Sequence, residues 1–171
     1  MARSAALRAA RLTHLDAQAR PTMVDVGGKA VTHRIAEAEA RLHLPAAVAA
    51  ALQRTGHRTQ KGPVFDTAIV AGVMAAKRTF ELIPFCHPLP LEQCRIEIDL
   101  ERGRSGAGVV IVRCRAETHH KTGVEMEALT AVTVALLNIW DAVKPYEKDD
   151  RGQYPTTRIE DVHVVKKVKK A

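Results

Sequence analysis

The sequence predicts an α+β fold, and three observations carry that expectation. Two segments, 63–82 and 123–143, place apolar residues at helical spacing, whereas 30–44, 94–100, 109–117 and 159–167 alternate with the period of a strand. A Gly- and Ser-rich turn, 103–108, joins the second and third alternating runs into a hairpin. The resulting order, strand, helix, strand, strand, helix, strand, is that of a split β-α-β unit: a ferredoxin-like antiparallel sheet with helices on one face.

Residues 1–20 lack sustained periodicity and are expected to be a flexible segment ahead of a single domain over 21–171. Met23 to Val26 leads through Gly27 and Gly28 into the first strand. Pro45 suits the start of a short Ala-rich helix, Ala46 to Arg54, because its missing amide would be unpaired there anyway, and Gly56 ends that helix. In 63–82, Val64, Ala68, Ala71, Ala75 and Phe80 share a face, and Ala71-Gly72 marks close packing, so one long buried helix is expected. Pro84, Pro88 and Pro90 then force an irregular loop over Ile83 to Leu91, since proline offers no amide and biases its predecessor toward extended geometry. The helix over 123–143 is stopped by Pro145, and the polar stretch 147–157 connects it to the last strand. One sheet face and much of this nearly all-apolar helix would be left bare, which self-association would cover.

Composition narrows the function classes. With 46% apolar and 26% charged residues, 171 residues suffice for a compact core. The longest apolar run, Ala128 to Trp140, is interrupted by Thr130, Thr133 and Asn138, so no membrane association is expected. Arg3, Arg8 and Arg11 among alanines imitate a transit peptide, but no secretory pattern accompanies them. Cys86, Cys94 and Cys114 contain no Cys-x-x-Cys pair, so neither a disulfide framework nor a zinc ribbon is suggested, and a reducing cytoplasm fits best. The net charge of +7 resides at the two ends: Arg3, Arg8, Arg11, Lys166, Lys167, Lys169 and Lys170 supply it, leaving 19 bases against 19 acids over 12–165. A neutral body with basic ends is not the footprint of a nucleic-acid binder.

Several side chains stand where chemistry could occur. Cys86 and His87 sit in the proline-stiffened loop, where geometry is fixed without secondary structure. Thr122 to Glu125 matches a Thr-x-x-Glu capping box, which gives Glu125 a structural role, but Glu127 has none and would be costly at a buried surface without a partner. Asp141 and Lys144, three residues apart on the same helix, can form an acid–base pair, with Lys148 extending it. Lys61, Lys77, Lys29 and Arg34 could bind phosphates, although no glycine-rich phosphate loop is present. Glu127 and Asp141 lie 14 residues apart, about 21 Å on an unbroken helix, so a pocket using both must lie between chains or meet an extended ligand.

The strings MVDVGGKAVTHR from Met23, KGPVFDTAIVAGVMAAKRTFELIPFCHPLPL from Lys61, KTGVEMEALTAVTVALLNIWDAVKPYEKD from Lys121 and IEDVHVV from Ile159 resemble the molybdenum cofactor biosynthesis protein C (MoaC) family. The resemblance spans about residues 12–167. It implies a ferredoxin-like enzyme of the cytoplasm that rebuilds 3′,8-cyclo-7,8-dihydro-GTP into cyclic pyranopterin monophosphate, a phosphorus-oxygen lyase releasing diphosphate. It further implies a hexamer, a trimer of dimers, with pockets at the dimer interfaces. No resident cofactor or metal is implied; magnesium accompanying the diphosphate stays open. The family's catalytic positions fall on Asp141, with Lys144 and Lys61 beside it. Substrate binding falls on Phe85, Cys86 and His87 and on Met126 and Glu127, with Glu125 adjacent. Asp25 also matches a motif position, and Lys29, Arg34, Lys77, Lys148 and Lys167 match as phosphate ligands. Such a reaction needs protons moved on and off nitrogen and oxygen and a leaving group's charge neutralised, and a lysine among other bases could have a depressed pKa. Departures from the family pattern are Gln60 in place of histidine, Ile69 in place of arginine, and the absence of its Gly-Gly-Lys-Ser-Gly tail.

The rival reading is a ferredoxin-like nucleic-acid binding module, which stacks bases on exposed sheet aromatics. The runs 94–100 and 109–117 contain no Phe, Tyr or Trp. A non-catalytic assembly protein is third, opposed by the crowding of ionisable residues in the motifs.

Overall fold

The computed structural model describes residues 15, 16 and 18–170; Arg3, Arg8 and Arg11, and most of the N-terminal segment expected to be flexible, lie outside the described residues. The part of that segment that is described closes on itself: Leu15 bridges Pro21, and Asp16 accepts the amides of Gln18 and Arg20.

Four long strands form one antiparallel sheet in the order β4-β5-β1-β6, with β1 at Thr32–Leu44, β4 at Gln93–Arg102, β5 at Gly108–His120 and β6 at Arg158–Lys170. Counting only these four in chain order, the sheet runs second, third, first, fourth, the ferredoxin-like topology expected from the element order. Alternation sorts the faces. Ala36, Ala38, Ala40 and Leu42 of β1, with Val110, Val112, Cys114 and Ala116 of β5, are buried beneath the helices. Three alanines in a row on the central strand let a helix approach closely, and α4 (Glu125–Val143) takes that place with Ala128, Ala131, Val132, Ala135, Leu136 and Ile139.

A second helix, α2 (Val64–Ala76), packs beside α4. A side chain added at Gly72 would meet Ile96 Cδ1 at 2.5 Å and the Ala131 carbonyl at 2.8 Å, so glycine is what permits three elements to touch. The short helix α1 (Ala46–Arg54) follows Pro45 and buries Val48, Ala49 and Leu52. After a two-residue hairpin, β2 (Arg58–Thr59) with β3 (Gly62–Pro63), comes α2 itself.

The structure departs from the sequence expectations in four places. The long helix of 63–82 breaks after Ala76, and a single turn, α3 (Thr79–Leu82), follows. At the break Thr79, not Phe80, turns inward; its hydroxyl donates to the Ala76 carbonyl at 3.0 Å, while Phe80 is 40% exposed. Among the described residues no side chain caps α4, because Glu125 is already its first residue and its carboxylate pairs with Lys167 instead of an amide. The bare sheet face is charged rather than apolar. Glu37 and Glu39 stand directly opposite Arg115 and Arg113, which bond them at 2.5 and 2.8 Å and also reach Glu117 and Asp99. Outward apolar residues remain on the helices, at Val70, Met74 and Leu137, and on the edge strand β6, at Val162, Val164 and Val165. Finally, the segment from Glu125 to Tyr146 is, by length and hydropathy, apolar enough to cross a membrane. Thr133 interrupts it less than expected because its hydroxyl donates to the Leu129 carbonyl at 2.8 Å, and half of the segment is buried in this chain's core.

Filling the contact at Gly72 is expected to be costly. Gly72→Ala should lower thermal stability by about 1–3 kcal/mol through overpacking. Gly28→Ala, where nothing lies within 4 Å, should change it by less than about 0.5 kcal/mol, as measured by denaturant unfolding.

Candidate functional site

The two ends of α4 carry two different chemistries. At its N-terminal end a cavity of about 360 Å³ opens between the proline loop, the 23–29 segment and the first helical turn. The loop supplies Phe85, Cys86 and His87, and the helix supplies Glu125, Met126 and Glu127. Lys29 and Lys167 complete the expected residues on its wall, with Val24, Val26, Thr122 and Gly123 added by the fold. These four carried no ionisable signal that sequence reasoning could have used.

Local bonds explain how the loop and segment hold their places. His87 Nε2 lies 2.9 Å from the Val24 carbonyl, and Lys121 Nζ donates to the Gly27 carbonyl at 2.5 Å, so two side chains fasten the 23–29 segment over the cavity. Asp25 accepts the Gly27 amide at 2.7 Å and shapes the turn between them. On the far side of the loop, the Thr118 hydroxyl donates to the Pro90 carbonyl at 2.6 Å.

Electrostatics single out Glu127. It is 4% exposed, and burial pushes its carboxyl up to about 7; Glu125 adds to the rise, while a bond with its own backbone amide opposes it. Its neighbour Cys86 is also raised, by burial and then by the Glu127 charge. Beside them, Glu125 is ion-paired with Lys167, which reaches across from β6.

At the other end, Asp141 holds two lysines. Its carboxylate bonds Lys144 Nζ at 2.7 Å and Lys61 Nζ at 2.5 Å, and Lys61 also donates to the Asp141 carbonyl at 3.0 Å. Lys144 first and Lys61 second lower the Asp141 carboxyl to about 2. Lys144 is correspondingly raised by Asp141, first through the hydrogen bond and then through the charge of the carboxylate, the opposite of the depression that a cluster of bases would give this amine. These groups are about half exposed, so the pairs are screened and add little stability. Lys61 reaches Asp141 from the tip of the β2–β3 hairpin, whose strands are too short for a periodic signal. A smaller cavity of about 230 Å³ beside them also touches Asn138, whose only mark in the sequence is that it interrupts an apolar run.

Three expected phosphate ligands lie on the wall of neither cavity within this chain. Arg34 donates to the Lys121 carbonyl at 3.3 Å, and its Nε is buried with no partner among the described residues. Lys77 stands at the end of α2 near Cys94, and Lys148 follows the helical turn after α4, against Gly152.

Residues 23–170 match the family model described as the MoaC family. The cyclic pyranopterin monophosphate synthase of Xanthomonas oryzae pv. oryzae is 56% identical over 137 residues, 80% of this chain and 81% of the relative. The probable cyclic pyranopterin monophosphate synthase of Pyrococcus horikoshii is 49% identical over 158 residues, 92% of this chain and 94% of the relative. That of Sulfolobus acidocaldarius is 47% identical over 147 residues, covering 86% and 98%.

A raised carboxyl pKa has a signed consequence. Glu127 ionises more readily in the unfolded chain, so stability is full below the ordinary carboxylate range and is lost as pH rises through about 7. Glu127→Gln should therefore match the parent near pH 4 and exceed it at pH 8 by on the order of 2–3 kcal/mol. Equal unfolding free energies at both pH values would contradict the unpaired burial of this carboxyl.

Proposed function

The chain belongs to the MoaC family, and on that premise we propose that it is a cyclic pyranopterin monophosphate synthase of molybdenum cofactor biosynthesis. It takes 3′,8-cyclo-7,8-dihydro-GTP, rebuilds the ring system as a pyranopterin, and closes a cyclic phosphate while diphosphate leaves. The observation that carries the site assignment is the pair of clusters at opposite ends of α4. Each holds residues that the resemblance assigns to one pocket, and about 21 Å of helix separates them. A pocket that uses both takes Glu127 and the proline loop from one chain and Asp141, Lys61 and Lys144 from another. The trimer-of-dimers hexamer and its cytoplasmic location belong to this proposal.

The electrostatics divide the work. A carboxylate with a pKa of about 2 is a weak base at neutrality, so Asp141 acts chiefly by holding Lys61 and Lys144 as oriented cations. Cations of that kind neutralise the charge that develops on a departing diphosphate. Glu127, with a pKa of about 7, can hold or release a proton near neutral pH and suits proton exchange at the ring system. Lys29 and Lys167 place positive charge at the same cavity, where Lys167 is already paired with Glu125. Phe85 and Met126 supply apolar wall for the flat ring.

The nucleic-acid reading is not favoured. The bare sheet face is filled by ion pairs between Arg113, Arg115, Glu37, Glu39 and Glu117, with no Phe, Tyr or Trp on β4 or β5 for a base to stack on.

Asp141→Ala and Lys144→Ala should fold and assemble as the parent does but convert the cyclised nucleotide roughly 100-fold more slowly or worse. Turnover near that of the parent would overturn the assignments. In a mixture of Asp141→Ala chains with Glu127→Ala chains, each hybrid dimer has one pocket with both lesions and one with neither. Random pairing should restore roughly a quarter of the parent activity. No recovery after verified subunit exchange would count against a pocket shared between chains.

A further inference from the structure

Away from both clusters, two thiols meet. Cys94 is the second residue of β4, and Cys114 lies in the middle of β5. They are diagonal neighbours: Cys94 is opposite Ala116, and Cys114 is opposite Ile96. Both point beneath the helices, and their sulfurs are 3.7 Å apart, in hydrogen-bond contact. Cys114 is 1% exposed, whereas Cys94 is only partly buried.

We propose that Cys94 and Cys114 form a reversible disulfide within one chain on exposure to a peroxide, Cys94 reacting first and Cys114 resolving it. The order follows from their surroundings. Cys94 is the more accessible sulfur; the hydrogen bond from the Cys114 thiol lowers its pKa against the effect of burial, and the positive charge of Lys77 lowers it further. Donating that bond and being buried raise Cys114, which therefore stays protonated until it is needed. Cys94 thiolate attacks one peroxide oxygen and breaks the O–O bond, giving a sulfenic acid and hydroxide, which takes a proton to become water. Cys114 then gives up its proton, its sulfur attacks the Cys94 sulfur, and the sulfenic oxygen leaves as a second water. Two thiols and one hydrogen peroxide yield one disulfide and two waters.

Bond formation requires the sulfurs to close from 3.7 Å to about 2.05 Å. Diagonal cross-strand positions are also farther apart, at about 7–8 Å, than the Cα spacing a relaxed disulfide adopts. The bridge is therefore strained, and strained bridges are the easily reduced ones. It would form at the root of the proline loop, which runs into β4 through Glu92, whose amide donates to the Glu117 carbonyl at 3.0 Å. Cys86, in that loop, is held as a thiol by burial and by Glu127, so it serves as an internal control.

The test is peptide mapping of the full chain after reduction, hydrogen peroxide treatment and alkylation. The expected product is a cross-linked peptide joining Cys94 and Cys114, lighter by two hydrogens and abolished by dithiothreitol, with Cys86 alkylated throughout. In the reduced protein, Cys94 should be alkylated about tenfold faster than Cys86 or Cys114. In Cys114→Ala, Cys94 should be trapped as the sulfenic acid by dimedone. Two freely alkylated thiols after peroxide in the unsubstituted chain, or Cys94 driven to sulfinic acid without a cross-link, would overturn the proposal. That map decides the matter even if Cys114→Ala fails to fold.

Discussion

Helix α4 is the part on which the rest of the molecule depends. Its seat on the sheet is set by small residues on both sides, Ala36, Ala38 and Ala40 below and Ala128, Ala131 and Ala135 above, with Gly72 admitting α2 alongside. Because that packing leaves no freedom to tilt or slide, the positions of its two ends are fixed together. Glu127 at one end and Asp141 at the other inherit their separation from the core. A pocket drawing on both cannot be closed by bending a loop within one chain.

The same rod explains why two carboxylates on one helix behave oppositely. Glu127 falls on the buried side of the first turn, with no ion pair among the described residues, and holds its proton up to about pH 7. Asp141 falls on the exposed side of the last turn, where two amines reach it and have the opposite effect. Pairs of titratable groups pushed apart in this way are a recurring mark of acid–base sites. Fourteen residues bring the helix back to within about 40° of the same face, so the contrast comes from the surroundings: burial at Glu127 and the amines of Lys61 and Lys144 at Asp141.

Much of the fold was legible because it is written in periodicity. The β4–β5 hairpin, the central strand and the span of α4 follow alternation and helical spacing closely. What failed to show was decided by single hydrogen bonds. The helix over 63–82 breaks where the Thr79 hydroxyl finds the Ala76 carbonyl, and the Thr122–Glu125 capping pattern gives way because Lys167, distant in sequence, offers the carboxylate a stronger partner. The meeting of Lys61 with Asp141 joins residues 80 positions apart through a two-residue hairpin. Periodicity carries no information about such a contact, which came from the resemblance of motifs. Burial of Glu127, by contrast, followed from its place on an apolar helix face.

The last strand contains a detail with a longer reach. Two register shifts interrupt the pairing of β6 with β1; at the second, Val165 is the extra residue between Val164, opposite Ala38, and Lys166, opposite Glu37. Were Val165 paired opposite Glu37 instead of bulged out, Lys166 would take the place opposite Ala36, and Lys167 would turn to the far face of the sheet. The bulge thus selects which of two adjacent lysines meets Glu125. It also makes this stretch unusually forgiving of length variation. A chain lacking residue 165 could pair regularly and still present Lys167, whereas losing a residue on the C-terminal side of the bulge, before Lys167, would exchange it for its neighbour.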